Sequence, residues 1–238
     1  MRRPPGGWWP GWRRRVDKFT DRLEAIGERA RFFFSAKDQA RERALELCRE
    51  ATRLSTNAIR AVHRQEYTPA KEALSRARAL LKELSQTLAD HPDLFHSGYV
   101  HDATKEFVEG CVTLALVQGK ELPSPEDLGV SPAAYLNGMG EAVGELRRYL
   151  LDTIRRGDLS RCEEVLATMD DVYGILVTMD FPEALTLGLR RTTDAVRGIL
   201  EKTRGDLTVA FEQRGLQKQL EALEEKLRAL PGTPRKKA

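Results

Sequence analysis

The sequence predicts an all-α protein, an elongated bundle of about seven helices. Of its 238 residues, 32% are charged and only 7% are aromatic, which is typical of long packed helices. Apolar residues recur at alternating steps of three and four along most of the chain. No segment alternates apolar and polar residues in the way that a half-buried strand does.

The first three helices are placed by their start signals. After an opening rich in Pro, Gly, Trp and Arg, a first helix is expected from Val16. Ser35, with an acidic residue three positions later, predicts a new helix start, so the second helix is placed at 36–65. Pro69 predicts the start of a third helix, which ends before the DHPD sequence at 90–93.

Four further helices complete the predicted bundle. They are expected at 95–119, at 132–156, in a segment that ends at 179, and at 182–230. The RGD sequence at 204–206 predicts a break in the last of them. Beyond this break, five leucines from Leu216 to Leu230 step by four and three. Such a heptad seam favours packing along the bundle or self-association.

The chain is therefore divided into a variable extension with one helix at 1–35, a helical bundle at 36–230 and a basic tail at 231–238. No stretch reaches the length needed to span a bilayer. The opening also lacks the apolar region of a secretion signal. We therefore expect a cytoplasmic protein without a membrane partner.

Charge is distributed unevenly along the sequence. Residues 1–64 carry a net charge of +8 and residues 90–185 a net charge of −11, which suggests a basic surface for a polyanion. Four arginines of the second helix project from one face and could form a phosphate-binding ridge; they are Arg49, Arg53, Arg60 and Arg64. The alternative is that these arginines pair with nearby glutamates or are simply solvated.

Carboxylates enter the most apolar part of the chain in two stripes. Glu106 and Glu109 share a face of the predicted fourth helix, and Glu141, Glu145 and Arg148 share a face of the fifth. If these two helices form an antiparallel hairpin, Glu106 lies level with Glu145, and Glu109 faces Glu141. The four carboxylates would then converge between the helices.

Converging carboxylates repel one another, so they need protons or cations. A set of oxygen ligands suits Mg²⁺, with Mn²⁺ as the alternative ion. Such an ion could polarise a phosphodiester and activate water for attack. Ordinary salt bridging is the alternative, for example between Glu145 and Arg148 or between Glu106 and Lys105.

Several segments are similar to one known family. The chain resembles the translin family, and within it the translin-associated factor X branch and its archaeal relatives, over about residues 38–220. The matching segments are LCREATRLSTNAIRAVHR, KEFVEG, YLNGMGEAVGELRRYL, GDLSRCEEVL, DDVYGILVTMDFPEAL and LRRTTDAVRGILEKTRGDLTVA. The resemblance implies a translin-like all-α fold, a hollow homo-oligomer commonly of eight subunits, and binding of single-stranded RNA or DNA.

The resemblance to the factor X branch also implies a Mg²⁺-dependent endoribonuclease site. Its Glu-x-x-Glu pair falls on Glu106 and Glu109, and the glutamate of its GEL sequence falls on Glu145. Glu141 stands where the family has an aspartate, so its longer side chain departs from the pattern. Arg148 joins the four arginines of the second helix as a candidate nucleic-acid-binding residue.

Two other functions remain open at this point. A non-catalytic oligomer that binds single-stranded RNA or DNA would use the same arginines, while its glutamates only balance charge. A helical scaffold would bind no nucleic acid.

Overall fold

A computed structural model describes residues 10–229, and within that range all regular structure is α-helical, which confirms the predicted fold class. The helices are α1 Pro10–His63, α2 Tyr67–Thr87, α3 Pro92–Phe95, α4 Gly98–Val117, α5 Pro125–Leu128, α6 Pro132–Arg155, α7 Cys162–Val177, α8 Glu183–Thr186 and α9 Leu189–Ala229. Three of these nine helices are only four residues long. Leu230 and the predicted basic tail lie outside the described residues, as do the first nine residues.

Two predicted helix breaks are wrong. α1 continues through Ser35 for 54 residues, and α9 continues through Gly205 for 41 residues. Residues 28–68 contain neither Gly nor Pro, so no such helix breaker lies near Ser35, and a serine is tolerated inside the helix. A single Gly costs a helix about 1 kcal/mol relative to Ala, which the rest of α9 outweighs.

The predicted fourth and fifth helices are α4 and α6, and they are neighbours, but they are parallel and not antiparallel. At one end, Thr104 of α4 lines the same groove as Ser131 and Ala134 at the start of α6. At the other end, Arg161, which follows α6, donates to the carbonyl oxygen of Val117, the last residue of α4, at 2.7 Å.

The connection between the two helices explains the error. It spans residues 118–131, and 14 residues can extend to about 46 Å, whereas the 20 residues of α4 are about 30 Å long. The connection therefore returns along the whole of α4 and includes α5, which Ser124 caps through a reciprocal capping box. A loop that contains proline was predicted as a turn, although it is long enough to cross the bundle.

The core is formed where α1, α2 and α6 pack around α4, and it continues where α7 and α9 pack against α6. Ala44, Ala51 and Ala58 are fully buried on one stripe of α1, and these small side chains let the neighbouring helices approach closely. Phe107 and Val108 of α4 are also buried, each contributing about 1.5–3 kcal/mol by leaving water. The polar stripe of α4 thus lies beside a packed apolar face, which fixes the direction of its glutamates.

Gly138 sets the spacing of α4 and α6. A Cβ at this position would lie 2.6 Å from the carbonyl oxygen of Lys105 and 2.7 Å from Cβ of Val108. We expect Gly138→Ala to lower the free energy of unfolding by roughly 1–3 kcal/mol, because the two helices would have to separate. Thermal unfolding of the purified variant measures this.

Gly144 of the same helix supplies the control. A Cβ there would meet only Cδ1 of Ile199, at 3.9 Å, so Gly144→Ala should raise stability by up to about 1 kcal/mol through helix propensity. Equal melting temperatures for the two variants would contradict the role of Gly138.

Both long helices expose apolar side chains away from this core. Near the start of α1, Phe19, Leu23 and Ile26 are 64%, 51% and 49% exposed, and near the end of α9, Leu216 and Leu220 are 58% and 53% exposed. Leu216 and Leu220 of the predicted seam thus do not pack along the bundle of one chain. None of the helices in residues 10–229 is long and apolar enough to cross a membrane.

Candidate functional site

A polar cleft of about 680 Å³ opens between α4, α6 and the first turns of α9. Its polar lining includes Glu106, Glu109 and Lys105 from α4 and Glu141 from α6, with Arg191 on the α9 side. The parallel arrangement of α4 and α6 brings the two carboxylate stripes to one level of the bundle.

Three of the four predicted site carboxylates meet in this cleft. One oxygen each from Glu106, Glu109 and Glu141 lie within 4.8 Å of one another, close enough to share a single ion. All three residues are partly buried. We call this set the carboxylate cluster. Its oxygen-only donors fit Mg²⁺ or Mn²⁺, which prefer oxygen ligands.

The charges in the carboxylate cluster oppose one another. Burial, followed by the negative charges of Glu106, Glu141 and Glu145, raises the pKa of Glu109 to about 8. Burial and the charge of Glu141 also raise the pKa of Glu106 above its ordinary value. A bound cation would remove this penalty, since opposite charge favours the ionised carboxylates.

Glu106 and Glu141 also have partners within the chain. The hydroxyl of Thr56 on α1 donates to Oε2 of Glu106 at 3.3 Å. Nζ of Lys105 lies 2.8 Å from Oε1 of Glu141 and 3.7 Å from Oδ1 of Asp102. The predicted alternative of a Glu106 to Lys105 bridge is therefore replaced by a Glu141 to Lys105 bridge.

Glu145 lies beside the carboxylate cluster and contacts other groups. Its Oε2 is hydrogen-bonded to Nε2 of His63 and lies 3.9 Å from Nη1 of Arg148, so the predicted bridge to Arg148 is long. The bond to His63 lowers the pKa of Glu145, which stays ionised. Glu145 therefore adds negative charge next to Glu109, whereas Glu141 is the residue of α6 that joins the cluster.

The sequence analysis missed His63, whose side chain is only 5% exposed. A signal was present, because His63 lies seven residues after Thr56, and both therefore project from the same face of α1. The interpretation of that face considered only its arginines. Nδ1 of His63 is buried and has no partner among the described residues.

The predicted arginines lie beside this site. Arg49, Arg53, Arg60 and Arg64 are all exposed, on the face of α1 that also carries Thr56 and His63. Arg53 pairs with Glu50 at 2.6 Å and Arg64 with Glu66 at 2.8 Å, as the solvated alternative expects. Among the described residues, Arg49 and Arg60 have no ion-pair partner.

The sequence of the chain is similar to that of one curated protein. No family model matches the sequence. The chain is 30% identical over 194 residues to an uncharacterized protein of Methanocaldococcus jannaschii, and the match covers 81% of this chain and 86% of that protein.

Solved structures are also similar. AfC3PO, in a structure of its complex with duplex RNA, has 32% sequence identity to this chain and a TM-score of 0.71. The match covers 81% of this chain and 98% of that chain. AfC3PO in another crystal structure has a TM-score of 0.69, 32% identity, and coverage of 84% and 98%. Apo-NeC3PO, at 19% identity, a TM-score of 0.66 and coverage of 86% and 100%, shares the fold. These are translin-type proteins, archaeal and fungal, and the present chain belongs to the translin family.

Proposed function

We propose that this protein binds RNA along α1 and cleaves its phosphodiesters at the carboxylate cluster with the help of Mg²⁺. The observation that carries the proposal is the meeting of Glu106, Glu109 and Glu141 within 4.8 Å in an open cleft, with Glu106 in contact with Thr56 on the arginine-bearing face of α1. The similar structure of AfC3PO with duplex RNA supports a nucleic-acid ligand.

The residues divide the work as follows. Glu106, Glu109 and Glu141 would hold the ion, and Glu145, kept ionised and oriented by His63, would add negative charge at their edge. When bound, Mg²⁺ supplies charge stabilisation on the phosphate and an acidified water. Arg49 and Arg60 would bind phosphates on either side of Thr56, which contacts Glu106, because they flank Thr56 on the same face of α1.

The test is incubation of end-labelled RNA, single-stranded and duplex, with the purified protein, with and without Mg²⁺. We expect cleavage of single-stranded RNA only when Mg²⁺ is present, and Glu106→Gln should prevent it. If the wild type binds RNA but cleaves none of it, even with Mg²⁺, the catalytic proposal is overturned and a binding protein remains.

One observation favours that second function, a non-catalytic binding protein. Lys105 already pairs with Glu141, so part of the acidic charge is balanced inside the chain. Calorimetric titration with Mg²⁺ separates the two functions, because a charge-balanced cluster has no need of an ion. In both functions we expect a homo-oligomer, which light scattering would show.

Removal of the unpaired arginines Arg49 and Arg60 should weaken RNA binding and make it less dependent on salt concentration. Affinity falls as salt rises, and each phosphate contact that is lost makes the slope of log affinity against log salt less steep by about 0.7–0.9. We therefore expect the double variant Arg49→Gln, Arg60→Gln to have a slope that is less steep by about 1.5. Fluorescence anisotropy with labelled RNA over a salt series measures this slope. Arg197→Gln with Arg228→Gln on α9 is the control, because both of those arginines pair with glutamates on their own helix. An equal change in the two double variants would contradict a specific phosphate ridge.

A further inference from the structure

Lys105 places a positive charge inside the cleft that the carboxylate cluster occupies. Its Nζ is 2.8 Å from Oε1 of Glu141, and its side chain is only 21% exposed. It precedes Glu106 directly and lines the same cleft as Glu109. Its ammonium group therefore occupies the position of a counter-ion to a carboxylate that could also ligate a metal.

We propose that Lys105 is an internal counter-cation of the ion-free site, which a divalent cation must displace from Glu141 in order to bind. This inference rests on the proposed function, because it takes the carboxylate cluster to be the divalent-ion site. It adds a competition between a tethered cation and a free one for the same carboxylate.

The geometry explains why the two cations compete. A Mg²⁺ ligand oxygen lies about 2.0–2.1 Å from the ion. An ion bound to Oε1 of Glu141 would thus stand within about 5 Å of the ammonium group at its present place, and the two positive charges would repel each other. The flexible four-carbon stem of lysine allows the ammonium group to move away while the backbone of α4 stays fixed.

Displacement would also change what the cleft offers to a substrate. Asp102, the second carboxylate near Lys105, is 3.7 Å away and 69% exposed, so it holds the ammonium group only weakly. Once released from Glu141, the ammonium group stays tethered at the edge of the cleft, where it can pair with a phosphate. Ion binding would thereby free a cation for the RNA backbone.

The experiment is a calorimetric titration of the RNA-free protein with Mg²⁺ at pH 8. We expect Lys105→Met to bind Mg²⁺ about tenfold more tightly than the wild type, because the competitor is gone. Without Mg²⁺ the same variant should melt at a lower temperature, because the carboxylates have lost their neutralising charge. Added Mg²⁺ should therefore raise its melting temperature by more than that of the wild type.

Two variants serve as controls. Lys105→Arg keeps a cation and should bind Mg²⁺ as weakly as the wild type does. Lys202→Met removes the same charge from an exposed position on α9 and should leave Mg²⁺ affinity unchanged. If Lys105→Met is too unstable to titrate, Lys105→Gln makes the same comparison with a polar side chain.

The outcomes separate the two proposals. If the wild type binds Mg²⁺ and Lys105→Met binds it no more tightly, the counter-cation role is wrong while the metal site stands. If neither protein binds Mg²⁺, the metal site of the proposed function is wrong, and the counter-cation role is overturned with it. Tighter binding by Lys105→Met and Lys202→Met alike would also overturn this role, since net charge alone would explain it.

Discussion

Glu109→Gln is expected to reduce RNA cleavage by at least about a hundredfold and to raise the melting temperature of the ion-free protein at pH 8. Loss of a group that only orients a metal ligand costs 10- to 100-fold, so loss of a direct ligand should cost at least the upper value. Stability should rise because the pKa of Glu109 is raised to about 8, which means that ionising this carboxyl opposes folding.

The direction of the stability change distinguishes a metal site from a set of salt bridges. A glutamate that stabilises the fold through an ion pair would cost stability when it is neutralised. Glu109 instead meets the charges of Glu106, Glu141 and Glu145, so neutral glutamine relieves repulsion. Differential scanning calorimetry of both proteins with and without Mg²⁺ measures this, and Glu163→Gln, an exposed glutamate of α7, is the control.

A wild type that gains no stability from Mg²⁺, together with a Glu109→Gln variant that melts lower in both conditions, would show the metal site to be wrong. The wild type should instead gain stability from Mg²⁺, and the variant should gain much less, because its cluster has lost a charged ligand.

Mg²⁺ affinity should increase about tenfold for each unit of pH between about 6 and 8, and then become constant. Below its pKa of about 8, Glu109 holds a proton that must leave before its oxygen can bind an ion. One proton is therefore released for each ion bound. Calorimetry in buffers with different ionisation enthalpies counts these protons, and Glu109→Gln should remove most of the pH dependence.

The same carboxyl makes ion-free stability depend on pH. Its pKa is higher in the folded protein than in the unfolded chain, so the folded state binds more protons between about pH 4.5 and 8. Its contribution therefore lowers stability as the pH rises through that window. An Mg²⁺ affinity that stays constant from pH 6 to 8 would contradict the assignment of Glu109 as a ligand that must lose a proton.

The sequence was sufficient for the helical fold class and for the two carboxylate stripes, because both depend on local spacing, although two of the predicted helix breaks do not exist. The steps between Glu106 and Glu109 on α4, and between Glu141 and Glu145 on α6, correctly placed each pair on one face of its helix. The two stripes could meet because these two helices are neighbours, which the structure confirms.

The direction of α6 could not be predicted in the same way. It depends on where a 14-residue connection crosses the bundle, and residue spacing within a helix carries no information about that path. The parallel arrangement puts Glu141 with Glu106 and Glu109, and leaves Glu145 to His63 on α1. The partners of Glu145 and of Lys105 are tertiary contacts, which spacing along one helix does not specify.

The apolar ends of α1 and α9 should make the stability of this protein depend on its concentration. At 1.5 Å per residue, the 54 residues of α1 extend over roughly 80 Å, and its buried alanine stripe begins only at Ala44. Exposed Phe19, Leu23 and Leu216 would be covered in the homo-oligomer that we expect. Their contribution to folding would then obey mass action, so that dilution lowers the melting temperature although no contact within one chain has changed.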